Sequence, residues 1–162
     1  GLHQYFYLAF GYLQTAPWFN EGHACMFENT KLERGNIFIQ EDQARFKKVR
    51  AVIKDMSDSE LEQYIAQFLL MDYRAFYSVN HEFNYALAHC LVYYLHRGAP
   101  LERNQPYRDI MPRYIDELSR SGDMIKASQF AFSEIEFKSF VRRFAEFMKN
   151  SKLRQDALRR PL

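Results

Sequence analysis

The chain has 162 residues, enough for one domain with a real core. Its 22 basic and 20 acidic side chains nearly cancel, and no basic-aromatic surface pattern accompanies the small excess, which argues against a nucleic-acid partner. Six Gly and five Pro are too few for a turn-rich all-β fold, whereas 15 Phe and 11 Tyr supply bulky material for helix packing.

In chain order, Leu2 to Gln14 reads as a helix so rich in apolar residues (Tyr5, Phe6, Tyr7, Leu8, Phe10, Tyr12, Leu13) that it should be buried on most sides. A chain that opens inside a helix pattern shows no signal-peptide pattern of its own, and the compartment stays open. Pro17 breaks the pattern, and a second helix runs from about Trp18 to Asn29. Lys31 to Gln40 is the least helical part. Gly35 punctuates it, and Ile37-Phe38-Ile39 forms either a short strand or an extended loop.

Glu41 to Lys54 returns to helical spacing through Phe46, Val49 and Ile53. Ser57 or Ser59, with Glu60 or Glu62 three residues on, starts the next helix as a capping box. A short helix over 72–78 follows, then a long one from Asn84 to Arg97, stopped by Gly98 with Pro100 beyond. Pro106 to Arg120 ends at Ser121-Gly122, and Asp123 caps Met124 to Phe130. Ser133, with Glu136 three on, opens a last helix carrying Phe137, Phe140, Val141, Phe144 and Phe147. The expectation is an all-α bundle of seven or eight helices over residues 1–150, with a solvated basic tail over 151–162. No apolar run reaches membrane-spanning length. Cys25 and Cys90 form no framework or zinc-knuckle spacing and are expected as buried free thiols.

Taken singly, the polar residues within these helices have ordinary explanations. His3 is a partly buried histidine bonded to a backbone carbonyl, and Glu21 is a carboxylate favoured near a helix N-terminus. His23, His89 and His96 pack or face solvent. Taken jointly, His3 and Glu21 stand on consecutive helices separated by one Pro-marked turn. That is the arrangement in which a third metal ligand is turned back toward a ligand pair on the preceding helix.

Trp18-Phe19-Asn20-Glu21-Gly22-His23-Ala24, with Glu28 beyond, resembles the W-[LF]-N-E-G-x-A-x-x-x-E signature of the gluzincin zinc metallopeptidases. These include the aminopeptidase N-like enzymes and the bacterial peptidase MA-like family. In that signature the Glu of N-E-G is the third zinc ligand, which corresponds to Glu21. The H-E-x-x-H motif lies about eighteen residues upstream. His3-Gln4, with residues 4 to 20 before Glu21, matches its second histidine.

Further along, Tyr85 to Leu95 resembles the helix Y-x-x-[GA]-x-x-[LIV]-[LV]-x-x-L of the same enzymes. The resemblance makes Tyr85 the hydroxyl that stabilises the oxyanion; on packing grounds alone Tyr85 is equally a core aromatic. The Phe-rich C-terminal helices are similar in a looser way.

The sequence departs from the pattern in two respects. The first histidine and the catalytic Glu are absent, since the chain begins after them, and the x of N-E-G-x-A is a histidine, His23. The resemblance thus implies the C-terminal helical part of a zinc peptidase. Zinc would be held in the intact parent by His3, Glu21 and an upstream histidine, with Asn20, His23 and Glu28 lining or supporting the site. It further implies a peptide or protein substrate and an inactive fragment that holds zinc weakly or not at all; peptidase MA-like relatives are often exported, and the compartment of the parent stays open. An apolar face around Tyr5, Leu8 and Tyr12 would be left for a second chain to cover. The rival expectation is a non-catalytic helical protein-interaction domain.

Overall fold

The computed structural model describes residues 2–9, 11, 13–78, 80–102, 105–150, 152, 154 and 155, without the side chains of 2, 3, 6, 7, 102 and 105. The fold is all-α with one small hairpin. Helix α1 (Leu2–Ala9) is shorter than its apolar pattern suggests. Gly11 adopts φ +62° and donates its N–H to Leu8 O, the left-handed turn that ends a helix. The expected burial on most sides is not found, for Tyr5 is 64% and Leu8 55% exposed. The helix leans on α2 alone among its larger contacts, and a helix with one neighbour can bury only one stripe. Tyr12 lies outside the described residues.

Helix α2 (Pro17–Glu28) starts with Pro17 in the first turn, where its missing N–H costs nothing. The least helical stretch proves to be an antiparallel hairpin, β1 (Thr30–Glu33) and β2 (Asn36–Ile39). Arg34 and Gly35 both take positive φ, the turn whose twist suits a two-residue hairpin loop. Asp42 caps α3 (Gln43–Asp55), and Ser57 with Glu60 forms the expected capping box on α4 (Asp58–Leu69). Helix α5 (Tyr73–Ser78) is brief, and Asn80, at φ 55°, turns the chain into α6 (His81–Tyr93).

Gly98 does not cap this helix in the left-handed conformation. The backbone continues through a π turn (Tyr94–Gly98) and a 3-10 turn (Ala99–Glu102). Gly98 is required there by packing, because a Cβ would lie 2.4 Å from Tyr94 Cδ2 and 3.0 Å from Phe147. The helix expected from Pro106 divides into α7 (Gln105–Arg108) and α8 (Ile110–Ser121). The break follows from Pro112, whose ring would collide with the carbonyl of Arg108 in an unbroken helix. Gly122, at φ 68°, ends α8, and Asp123 caps α9 (Met124–Ala131). The start of α10 (Phe137–Lys149) is capped by Glu136, which accepts from Ser139 N at 2.7 Å; Ser133 instead donates its hydroxyl to Phe130 O.

Helix α6 is the axis of the domain. Ala86 to Tyr93 are buried without interruption, with α2, α3 and α5 packed on it. Phe140, Phe144 and Phe147 of α10 close the core around Tyr94. The C-terminal segment is not wholly a solvated tail. Arg154 is buried, its Nε stands 2.5 Å from Glu41 Oε1, and its Nη1 reaches the carbonyls of Phe147 and Met148. Residues 156–162 lie outside the described residues. Both cysteines are buried free thiols, as composition suggested. Among the described residues no helix is long and apolar enough to cross a membrane.

Candidate functional site

The position of the Glu21 helix is set by three neighbours in its own motif. Trp18 is fully buried and donates its indole N–H to Ser128 Oγ at 2.9 Å, with Tyr114 and Phe132 set edge-on against its ring. Ala16 N–H donates to Tyr114 Oη at 2.7 Å, fixing the helix entry. Gly22 is the crossing point of α2 and α6. A Cβ there would lie 2.5 Å from both Ala88 O and Val92 Cγ2, so only glycine permits this approach. Tyr85 lies three residues before Ala88, about one helical turn. The crossing at Gly22 therefore brings Glu21 and Tyr85 together.

Glu21 is buried at 5% exposure. Tyr77, on α5, donates its hydroxyl to Glu21 Oε1 at 2.5 Å. The rings of Tyr77 and Tyr85 stand 6.0 Å apart, and those of Tyr73 and Tyr77 5.9 Å apart. Burial, then the hydrogen bonds to Glu21 and Tyr85, hold the Tyr77 phenol well above its ordinary value. Tyr85 is also pushed up, first by burial, with its hydrogen bond to Tyr77 opposing and the Glu21 charge adding. Both phenols are thus protonated donors at neutral pH.

Asn20 points to the same cluster and donates Nδ2–H to Tyr73 Oη at 2.7 Å. Helix α5 is fastened by Asn84, which donates to Phe76 O at 2.8 Å and accepts from Tyr64 Oη at 3.0 Å. Tyr73 and Tyr77 were not singled out in the sequence. Their i, i+4 spacing on a short helix was the available signal, since it puts both rings on one face.

The other motif residues go elsewhere. Glu28 ends α2 on the surface, 3.3 Å from Arg45 Nη2 and remote from the tyrosines by two helical turns. His23 is buried toward the opposite side. Its Nδ1 lies 2.7 Å from Phe19 O and its Nε2 lies 2.9 Å from His96 Nε2. A carbonyl only accepts, so His23 Nδ1 carries the proton and Nε2 offers its lone pair; His96 Nε2 must then be the donor between them. Burial and the neighbouring His96 hold His23 down to about 3, and burial with the nearby Arg97 holds His96 down to about 4. Cys25, on the same helix, is pushed up to about 11, mainly by burial, and is no nucleophile.

His3 lies on α1, which packs on α2, but its side chain is outside the described residues. Among the described residues no group of three His, Cys, Asp or Glu side chains stands close enough to hold a metal ion. The described portion fits a single ligand position: one buried carboxylate, steadied through one oxygen by a phenol, which is how outer partners orient a metal-binding carboxylate.

A family described as "Protein of unknown function (DUF1570)" matches residues 3–120, most of the chain, including His3, the N-E-G motif and Tyr85. No curated protein and no solved structure matches.

Proposed function

We propose that this chain, which belongs to the DUF1570 family, carries the C-terminal helical part of a zinc-dependent peptidase site in which Glu21 is a metal ligand. The observation that supports this reading is the buried Glu21 carboxylate beside two protonated phenols, Tyr77 and Tyr85, at the glycine crossing of α2 and α6. Zinc, when held by Glu21, His3 and an upstream histidine, would supply Lewis acidity and an activated water for attack on a peptide carbonyl.

The chain's own residues have definite tasks in this scheme. Glu21 offers a carboxylate oxygen while Tyr77 holds the other end of the group. Tyr85 presents an O–H where negative charge develops on the carbonyl oxygen, the position in which a hydrogen bond lowers the barrier most. Asn20 holds Tyr73 and so keeps α5 against α2.

The test is metal content of a protein extended upstream of Gly1. Stoichiometric zinc that is lost in Glu21→Gln supports the site, and zinc retained in that variant removes Glu21 from it. Tyr85→Phe should lower turnover with zinc occupancy intact; unchanged turnover takes Tyr85 out of the chemistry.

A second reading, a non-catalytic interaction domain, is favoured by the exposed Tyr5 and Leu8 on α1. It predicts a concentration-dependent oligomer or a captured partner that Tyr5→Ser with Leu8→Ser abolishes, and no zinc in the extended protein.

A further inference from the structure

A separate cavity of about 570 Å³ lies between the π turn after α6 and helix α8, within the size range of small-molecule sites. We propose that it binds a free aromatic amino acid bearing a ring N–H or O–H donor. Four features of the cavity carry this.

Its lining is mostly apolar: Leu95 and Met111, both buried, with Pro100, Pro112 and Ile115. His96, half-buried, also lines it. The hydrogen-bond chain Phe19 O, His23, His96 leaves a determined lone pair. Because His96 Nε2 must donate to His23, its Nδ1 is an acceptor, and no other hydrogen bond to His96 occurs among the described residues.

His96 sits within the π turn, a rare geometry found frequently at functional positions. Finally, one cation and one anion, Arg108 and Asp116, both exposed, line the cavity, and neither makes an ion pair or a side-chain hydrogen bond among the described residues.

Together these features match a zwitterion with an apolar ring. Arg108 presents a planar fork suited to a carboxylate, and Asp116 an acceptor for an ammonium. The apolar walls receive the side chain, and His96 Nδ1 accepts from an indole N–H or a phenol O–H. The proposal is independent of the peptidase reading, since no residue of the Glu21 cluster lines this cavity.

The test is calorimetric titration of the chain with L-tryptophan, its methyl ester and its N-acetyl derivative. Saturable one-to-one binding of L-tryptophan is expected, with each derivative about tenfold weaker or worse, because each loses one charge. Arg108→Gln, an exposed position, should weaken L-tryptophan about tenfold and leave the ester unchanged. No saturable binding of L-tryptophan up to about 10 mM overturns the proposal. So does equal binding of the three ligands, or an Arg108→Gln variant that binds L-tryptophan as the parent does.

Discussion

Replacing Gly22 with alanine sets two known effects against each other, and the structure decides the sign. In an exposed helix interior the change stabilises by about 1 kcal/mol, through helix propensity and a less flexible unfolded chain. At Gly22 the added Cβ would stand 2.5 Å from Ala88 O and 2.5 Å from Val92 Cγ2. The valine methyl could rotate away, but the carbonyl belongs to the backbone of α6 and cannot.

An ordinary carbon–oxygen contact needs roughly 3.2 Å or more, so the two helices must part by about 0.7 Å at their closest point. Overpacking of this kind costs about 1–3 kcal/mol, and a rigid backbone obstacle belongs at the upper end. The net expectation is a loss of about 2 kcal/mol, or about 4–8 °C in Tm for a domain of this size. Thermal and urea denaturation of Gly22→Ala beside the parent measure it. An unchanged or raised Tm would refute the argument that Gly22 is the crossing point holding Glu21 beside Tyr85.

The remaining expectations concern titration, the buried ion pair and the phenol on Glu21. His23, His89 and His96 are all held below the ordinary histidine value of 6.5, chiefly by burial, at about 3, 4 and 4. Below pH 6.5 the unfolded chain therefore binds more protons than the folded one, and stability falls as pH drops toward 4. Each costs about 2 kcal/mol between pH 7 and pH 5, so urea midpoints should fall steeply over that range; a flat profile would contradict neutral burial. Arg154→Ala should destabilise by about 3–5 kcal/mol by stranding the buried Glu41 carboxylate, whereas Arg154→Met with Glu41→Leu should lose only about 1–2 kcal/mol, for the Phe147 and Met148 carbonyls it frees, in the same assay. Equal losses in the two variants would count against the pair. Tyr77→Phe keeps the ring but removes the hydroxyl on Glu21, and should cost about 1 kcal/mol in urea denaturation, given the tyrosine's partial exposure; no loss would make that hydrogen bond energetically idle.

Local signals in the sequence governed what could be foreseen. The capping box at Ser57 and Glu60, the Asp123 cap and the Gly122 stop depend on residues within a few positions of one another, and all three form as expected. Ser133 and Glu136 have capping-box spacing too, but there Glu136 is itself the cap. Gly98 resembled a helix stop, and only the approach of Tyr94 and Phe147 shows why a side chain is forbidden there. The resemblance points to Glu21 in the N-E-G-x-A motif and to Tyr85 in the later Y-x-x-[GA] helix pattern. The partners of Glu21 and Asn20, Tyr77 and Tyr73, come from a helix more than fifty residues away along the chain.

The sequence by itself determined the helical class, because hydrophobic period, caps and breakers act over one or two turns of chain. It also determined that Glu21 sits on a helix behind a tryptophan and before a glycine. Tertiary structure alone decided which polar residues meet: Glu21 with Tyr77 and Tyr85, His23 with His96, Glu41 with Arg154. Those meetings depend on where α2, α5, α6 and the C-terminal segment cross, and crossing points are fixed by close packing between surfaces distant in sequence. Gly22 shows the physical reason most directly: in the chain it is one residue without a side chain, and in the fold it is the gap through which α6 comes near enough to build a site.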